Sequence, residues 1–262
     1  MEDFSFQDTQ YQKMYSERDV DPNWLTNVFR TLDVKSKTII DVGSGGGLYA
    51  REMSNHGAHV IGVDSSKALL KTARQDIPDA KFLCGSATQL PLEDNFADVV
   101  IMRALTHHID PLEPAFSEAA RVLKKGGRLI IQNRTLEDCL LPGSNHHLRG
   151  YLFECFPQLK HIEEKRRSTS EQMCQALAAS GFTSLSIHTL WETRAVYEQE
   201  NWVTSFHRRQ GRSILHKLSD ENLHALIAHM KKHIQTSDVI DRDRWTVWEG
   251  IKQEGFAHDS HA

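Results

Sequence analysis

The run Thr38-Ile39-Ile40-Asp41-Val42 is apolar and stops at Gly43, and four of the chain's 15 glycines fall between positions 43 and 47. A short apolar run bounded in this way reads as a strand buried on both faces. A helical pattern over 48–55 follows at once. Glycines between a strand and a helix let the backbone turn sharply and approach a ligand closely. The helix behind them offers N–H groups with no partner in the helix. A nicotinamide dinucleotide site would be spaced G-x-G-x-x-G, with its third glycine at Leu48. Here it falls at Gly47, so the pattern is G-x-G-x-G and the dinucleotide fingerprint fails.

Four more apolar runs, 58–63, 80–84, 97–102 and 128–132, read as parallel strands. Helical patterns separate them at 66–75, with Ser65 or Ser66 as N-cap, and at 111–123, with Pro111 near the start and Gly126-Gly127 beyond the end. Five alternations in under 100 residues predict an α/β, doubly wound sheet. The second half is less regular. It reads as a helix over 169–180 stopped by Gly181, a strand over 184–190, helices over 201–215 and 219–235, and a last strand over 244–251. No Pro/Gly-rich linker divides the chain, so 1–262 reads as one domain, with a ligand-binding core at 37–133 and cap insertions at 134–170 and 191–243.

Charge narrows the classes. The formal net charge of −4 excludes a strongly basic nucleic-acid binder. No apolar run reaches the roughly 18 residues of a membrane span, and 1–10 is not built like a secretory leader. The four cysteines lie far apart, without metal-ligand spacing, and read as buried thiols of a reducing, cytoplasmic protein. The 15 histidines suggest metal or acid–base chemistry, but no H-E-x-x-H and no clustered carboxylates accompany them, so no metal ligand is assigned.

Asp64 ends the second strand, 21 residues after Gly43. A carboxylate there can accept both hydroxyls of a ribose, which fixes a nucleoside without requiring a pyrophosphate. With Asp64 in place, 39–133 resembles the class I S-adenosylmethionine-dependent methyltransferases, most closely the small-molecule enzymes of ubiquinone/menaquinone type. Asp41 to Gly47 resembles their first motif and Gly85-Ser-Ala-Thr-Gln-Leu-Pro-Leu92 their loop G-D-A-x-x-L-P-F. Phe96-Ala-Asp-Val-Val100 is similar to their fourth strand, Leu105-Thr-His-His-Ile109 to the loop after it, and Arg121-Val-Leu-Lys-Lys-Gly-Gly127 to R-V-L-K-P-G-G. The resemblance implies a seven-stranded, mostly parallel Rossmann-like sheet with its last strand antiparallel. It implies S-adenosylmethionine as cofactor, held by Asp41, Gly43, Ser44, Gly45, Gly47, Asp64, Ser65, Ser86 and Ala87. Ser86 stands where the family has an Asp for the adenine amino group, and an uncharged acceptor weakens that bond by about 1 kcal/mol. Lys125 replaces a turn proline.

Similar enzymes fold an N-terminal segment over the cofactor. The corresponding segment here carries Tyr11, Tyr15 and Arg18, any of which could hold a carboxylate; Arg103, just past the fourth strand, faces the cofactor or forms a surface ion pair. His107 and His108 lie at the carboxyl end of the fourth strand, where ligands bind in such sheets, and are the candidate base. His146-His147 reads as a solvated loop. Tyr151, Phe153, Phe156, Trp191, Tyr197, Trp202 and Phe206 either line an acceptor pocket or form the cap's own core. Arg208, Arg209, Arg212 and Lys217 read as a solvated helix face. The expected activity is methyl transfer to a small molecule by direct displacement, without metal and without nucleic acid. An RNA methyltransferase and a non-catalytic cofactor binder are the alternatives, and the oligomeric state is open.

Overall fold

The computed structural model describes residues 19–30, 32–210 and 212–254. Tyr11, Tyr15 and Arg18 lie outside them. The chain runs α1 (Trp24–Phe29), β1 (Thr38–Val42), α2 (Leu48–Asn55), β2 (His59–Asp64), α3 (Lys67–Asp76), β3 (Lys81–Cys84) and β4 (Ala97–Arg103). It continues with α4 (Glu113–Val122), β5 (Leu123–Asn133), three short helices α5 (Leu136–Cys139), α6 (Leu148–Cys155) and α7 (Lys160–Arg166), then α8 (Ser170–Ala179). After these come β6 (Phe182–Tyr197), α9 (Asn201–His207), α10 (Asp220–His233) and β7 (Val239–Lys252).

The seven strands form one sheet in the order β3-β2-β1-β4-β5-β7-β6. All neighbours pair parallel up to β5, and β7 runs antiparallel to both β5 and β6. The doubly wound sheet and its reversed last strand are therefore as expected. The winding direction reverses between β1 and β4, so the loops leaving those two strands diverge and open a crevice at their carboxyl ends.

Both faces of the sheet are covered. Trp24, Met53 and Leu70 pack under α1 to α3 on one side, and Phe116, Ala119, Met173 and Leu177 under α4 and α8 on the other. This double burial is why β1, β2 and β4 are continuously apolar rather than alternating. A third apolar cluster collects Tyr151, Phe153, Phe156, Trp202 and Phe206 with Leu223, Leu226 and Met230. Five of the seven aromatics considered for an acceptor pocket thus form a core of their own; Trp191 is exposed.

Several readings need correction. The outer strands are longer than their apolar stretches: β6 extends past 190 and β7 begins at 239, before 244. Backbone pairing from Trp191↔Arg244 to Tyr197↔Val239 carries polar residues into the sheet. The 201–215 helix breaks after His207, and 213–217 is a separate 3₁₀ turn. Arg209 and Arg212 are not a solvated face. Arg209 donates to the carbonyls of Leu215 and Leu218, and buried Arg212 forms a forked pair with Asp241 at 2.8–3.1 Å. His147 is 2% exposed, its Nδ1 at 3.1 Å from the Pro142 carbonyl. Cys84 is exposed, because it ends the outermost strand β3.

Candidate active site

The glycine loop is fixed by backbone geometry. Gly43, Gly45 and Gly47 have φ of 77°, 54° and 82°, in the left-handed region that costs other residues about 1–2 kcal/mol. Gly47 is also confined, since a Cβ there would lie 2.6 Å from Ile77 Cδ1 and 2.8 Å from Phe82 Cζ. Around Gly45 and Gly46 the same test meets nothing within 4 Å, so this part of the loop faces open space. Gly47→Ala is expected to lower stability by about 2–4 kcal/mol, from left-handed strain and overpacking together. Denaturant unfolding monitored by circular dichroism checks this.

Asp64 holds the loop in place. One oxygen accepts from the Gly45 N–H and the other from the Ser66 N–H, both at 2.8 Å. A carboxylate offers about four lone-pair sites, so two remain for a ligand's hydroxyls. Ser66 caps α3, and Ser65 is exposed beside it. The Ser86 hydroxyl accepts from the Thr88 N–H at 3.2 Å within a tight turn; Ser86 is exposed and Ala87 half-buried.

Under the loop, Asp41 is 3% exposed, and its Oδ2 has no hydrogen-bond partner; the same is true of Ser44 Oγ. Burial, reinforced by the charge of Asp64, pushes the Asp41 carboxyl up to about 7, against the opposing pull of Arg103. Buried polar atoms without partners are rare in folded proteins, and a bound water, ion or ligand is one way their bonding is completed. The open glycine cradle, these two orphaned oxygens and Asp64 together suit a nucleoside carrying a positively charged tail.

A second layer stands at the ends of β4 and β5. Arg103 donates to both oxygens of Glu192 at 2.7 and 2.9 Å, and Glu192 also accepts from Tyr49 Oη at 2.7 Å and Gln132 Nε2 at 2.9 Å. Gln132 in turn accepts from the Trp24 indole N–H at 2.8 Å, which ties α1 to the sheet. Arg103 is therefore a buried ion pair rather than a surface one. Its guanidinium lies 3.8 Å from the centroid of Tyr49 and 4.6 Å from that of Trp245, with Arg134 4.6 Å from Trp245 as well. A small cleft opens beside this stack, bordered by Asp19, Tyr49, Arg103, Glu192, Arg194 and Trp245, with Thr193 and Asp243.

The chain leaves β4 through Ala104, at φ 51°, into the 3₁₀ turn Thr106–His108. The two imidazoles stack with centroids 3.9 Å apart. His107 Nδ1 lies 3.3 Å from Asn133 Oδ1, and Asn133 also donates to Thr106 Oγ1 and accepts from Arg167 at 3.1 Å. Burial, then the charge of Arg167, holds His107 well below the usual histidine range. His108 opens to solvent, yet its partial burial and the charges of Arg166 and Arg167 lower it too. Among the described residues no group of three or more His, Cys, Asp or Glu converges in a way that could hold a metal ion, and no helix is long and apolar enough to cross a membrane.

Gln132, Asn133, Arg134 and Glu192 were not singled out from the sequence. The signal for the first two was present: like Asp41 and Asp64, they are polar residues ending an apolar strand, at the ligand-facing edge. Glu192 carries no such signal, since its partner Arg103 lies 89 residues away.

Residues 40–131 match the family profile described as a methyltransferase domain. An uncharacterized methyltransferase of Mycobacterium tuberculosis is 35% identical over 109 residues, 42% of this chain and 44% of the relative. The chain thus spans under half the length of that relative. A demethylmenaquinone methyltransferase of Paenarthrobacter aurescens is 28% identical over 182 residues, 64% of this chain and 71% of the relative. Among solved structures, a putative methyltransferase of Bacillus halodurans superposes with a TM-score of 0.58 at 20% identity, covering 87% of this chain and 98% of that one. Phosphoethanolamine N-methyltransferase 2 of Haemonchus contortus, in complex with S-adenosyl-L-methionine, gives 0.57 at 18%, covering 94% and 56%. At these identities the structural likeness establishes the fold.

Proposed function

We propose that the chain, whose residues 40–131 match a methyltransferase domain profile, transfers a methyl group from S-adenosylmethionine to a small-molecule acceptor. The observation that carries this reading is the coincidence of the open glycine cradle with Asp64 and the orphaned Asp41 oxygen at the switch point of the sheet. Asp64 would accept the ribose hydroxyls, the turn at Ser86-Ala87 would border the adenine, and Asp41 would face the positively charged methionine end. When bound, this cofactor supplies a methyl group already activated by its sulfonium.

What remains for the protein is alignment and exclusion of water. The Trp24–Gln132–Glu192–Arg103 chain fixes the wall beside the cleft, and Tyr49 closes it against the glycine helix. Both histidines are neutral but weakly basic at physiological pH, so His107 serves to position the Asn133–Arg167 cluster, and His108 is the ring that can reach an acceptor. A direct displacement on an acceptor that arrives unprotonated needs no stronger base and no metal. His108→Ala is accordingly expected to lower turnover less than tenfold and to leave the pH–rate profile without a histidine limb between pH 6 and 7. A limb near 6.5 that disappears in the variant would show that His108 is the base.

Labelled methyl transfer from S-adenosylmethionine into the small-molecule fraction of a cell extract tests the function. Incorporation is expected in that fraction. Label found only in RNA, or in no fraction, would overturn the reading.

A further inference from the structure

The loop that joins β3 to β4 begins beside Asp64. The Gly85 N–H donates to the Asp64 carbonyl at 3.1 Å. Pro91 folds back onto this start, since a Cβ at Gly85 would lie 2.6 Å from Pro91 Cδ. The contact closes 86–90 into a compact turn. The Ser86 hydroxyl is engaged inside that turn, with the Thr88 N–H at 3.2 Å and Thr88 Oγ1 at 2.9 Å. What Ser86 and Ala87 present to a ligand therefore depends on where the backbone of the turn stands.

That position is set from α4. Arg121 donates through all five of its N–H groups. Nε and Nη2 reach the two oxygens of Glu118 at 2.7 and 2.9 Å. Nη2 also reaches the Leu90 carbonyl at 3.0 Å, and Nη1 reaches the Leu92 carbonyl at 2.9 Å and Asp94 at 2.7 Å. Glu118 in turn accepts from the Leu90 N–H at 2.7 Å. Leu90 is thus held by both of its backbone polar groups, with its side chain buried.

The Arg121 side chain is 25% exposed, so its ion pairs add only modestly to stability. Their geometric effect is larger, because four of these six bonds converge on the short stretch 90–94. A planar fork of five donors is particular to arginine; lysine has three donors on a point charge. Arg121 lies in the last turn of α4, just before β5 begins at Leu123. It therefore stands toward the amino edge of the sheet, away from the crevice at the carboxyl ends.

We propose that Arg121 and Glu118 are positioning residues for the base of the bound nucleoside. By clamping 90–94 to α4 they set where Ser86 and Ala87 stand beside Asp64, and so the affinity for the adenine end. This deepens the cofactor reading and rests on it; the clamp as a loop anchor does not.

Calorimetry with S-adenosylhomocysteine tests this at about 15 °C, on full-length variants shown by circular dichroism to be folded. Arg121→Lys is expected to bind about five- to tenfold more weakly, and Glu118→Gln by a similar factor. The double variant should bind about as well as the weaker single one, because a single clamp is broken only once. Arg128→Lys serves as the control, since it disturbs a similarly exposed pair, with Glu249 at 2.6 Å, between β5 and β7. Its affinity should change less than twofold, whatever its melting temperature. A merely structural role for Arg121 would lower the melting temperature and leave the affinity of the folded protein unchanged. In hydrogen exchange, amides 85–92 of Arg121→Lys should exchange faster than in the wild type, with β1 and β4 unaltered. Affinity within twofold of the wild type in both single variants, or losses that add in the double variant, would overturn the proposal. So would an equal loss in Arg128→Lys, unchanged exchange over 85–92, or failure of both single variants to fold. A wild type that binds no S-adenosylhomocysteine would remove the cofactor reading itself. That result is told apart from a failed clamp because exchange at 85–92 still reports on Arg121.

Discussion

Asp41→Asn is expected to make the free protein more stable at pH 8 and the cofactor complex weaker. Asp41 sits in the fold with a carboxyl pushed up to about 7, by burial first and then by Asp64. Its ordinary value is near 4, so between pH 4 and 7 the native state keeps a proton that the unfolded chain has lost. The native state binds more protons than the unfolded state, and stability therefore falls as pH rises through that window. Three pKa units at about 1.4 kcal/mol each put the loss at up to about 4 kcal/mol above pH 7. An amide of the same shape does not ionise and does not incur this loss. Urea unfolding at pH 5 and pH 8 should show a wild type that weakens with pH and a variant that does not. In the proposed binding mode the same substitution removes a charge facing the methionine end, so S-adenosylhomocysteine binding should weaken by about 1.5–3 kcal/mol, roughly ten- to a hundredfold. A variant equally stable at both pH values as the wild type would remove the electrostatic part of this account.

The second large effect lies in the cap. Gly150, inside α6, lies against the chain from Leu141 to Gly143. A Cβ at this position would overlap the Gly143 nitrogen, the Pro142 carbonyl carbon and the Leu141 oxygen, all backbone atoms. Backbone cannot rotate aside as a side-chain end can, so Gly150→Ala forces α6 away from that segment. Neighbouring Tyr151, Leu152 and Phe153 belong to the third apolar cluster, and the displacement opens that packing too. Overpacking and the loss of packing together should cost about 3 kcal/mol or more. In a chain of this size that lowers the melting temperature by about 6–12 °C. A calorimetric scan checks it, and a change under 2 °C would mean that the helix shifts freely.

The contrast between these two positions shows what the sequence makes legible. Asp41 belongs to a local pattern, a buried strand running into glycines, and a strand with both faces covered is mostly apolar, so that a carboxylate within it stands out. That is why β1 to β5 and the loops after β1 and β2 could be read from spacing alone. Gly150 has no local signature, since its need for a missing side chain comes from residues that the fold brings against it. The same holds for Glu163, which satisfies three arginines, and for Glu192, whose partners Tyr49, Arg103 and Gln132 come from three other elements. The basic run near 208–217 looked solvated because sequence shows charge but not the distant carboxylate; Asp241, across the cap, buries Arg212. His147 was misread for the same reason, its partner being the Pro142 carbonyl and its neighbour the Trp191 ring. Periodicity reports which face of an element is covered, not which polar groups meet when the elements pack.

The central claim is that the glycine loop and Asp64 hold S-adenosylmethionine. Titrating the full-length protein with S-adenosylhomocysteine by calorimetry tests it most directly, with Asp64→Ala alongside. The wild type should bind one equivalent in the micromolar range. The variant loses the Gly45 anchor and the proposed ribose acceptors, and should bind at least tenfold more weakly. No heat of binding to the wild type at millimolar ligand, or equal affinity in wild type and variant, would contradict the account.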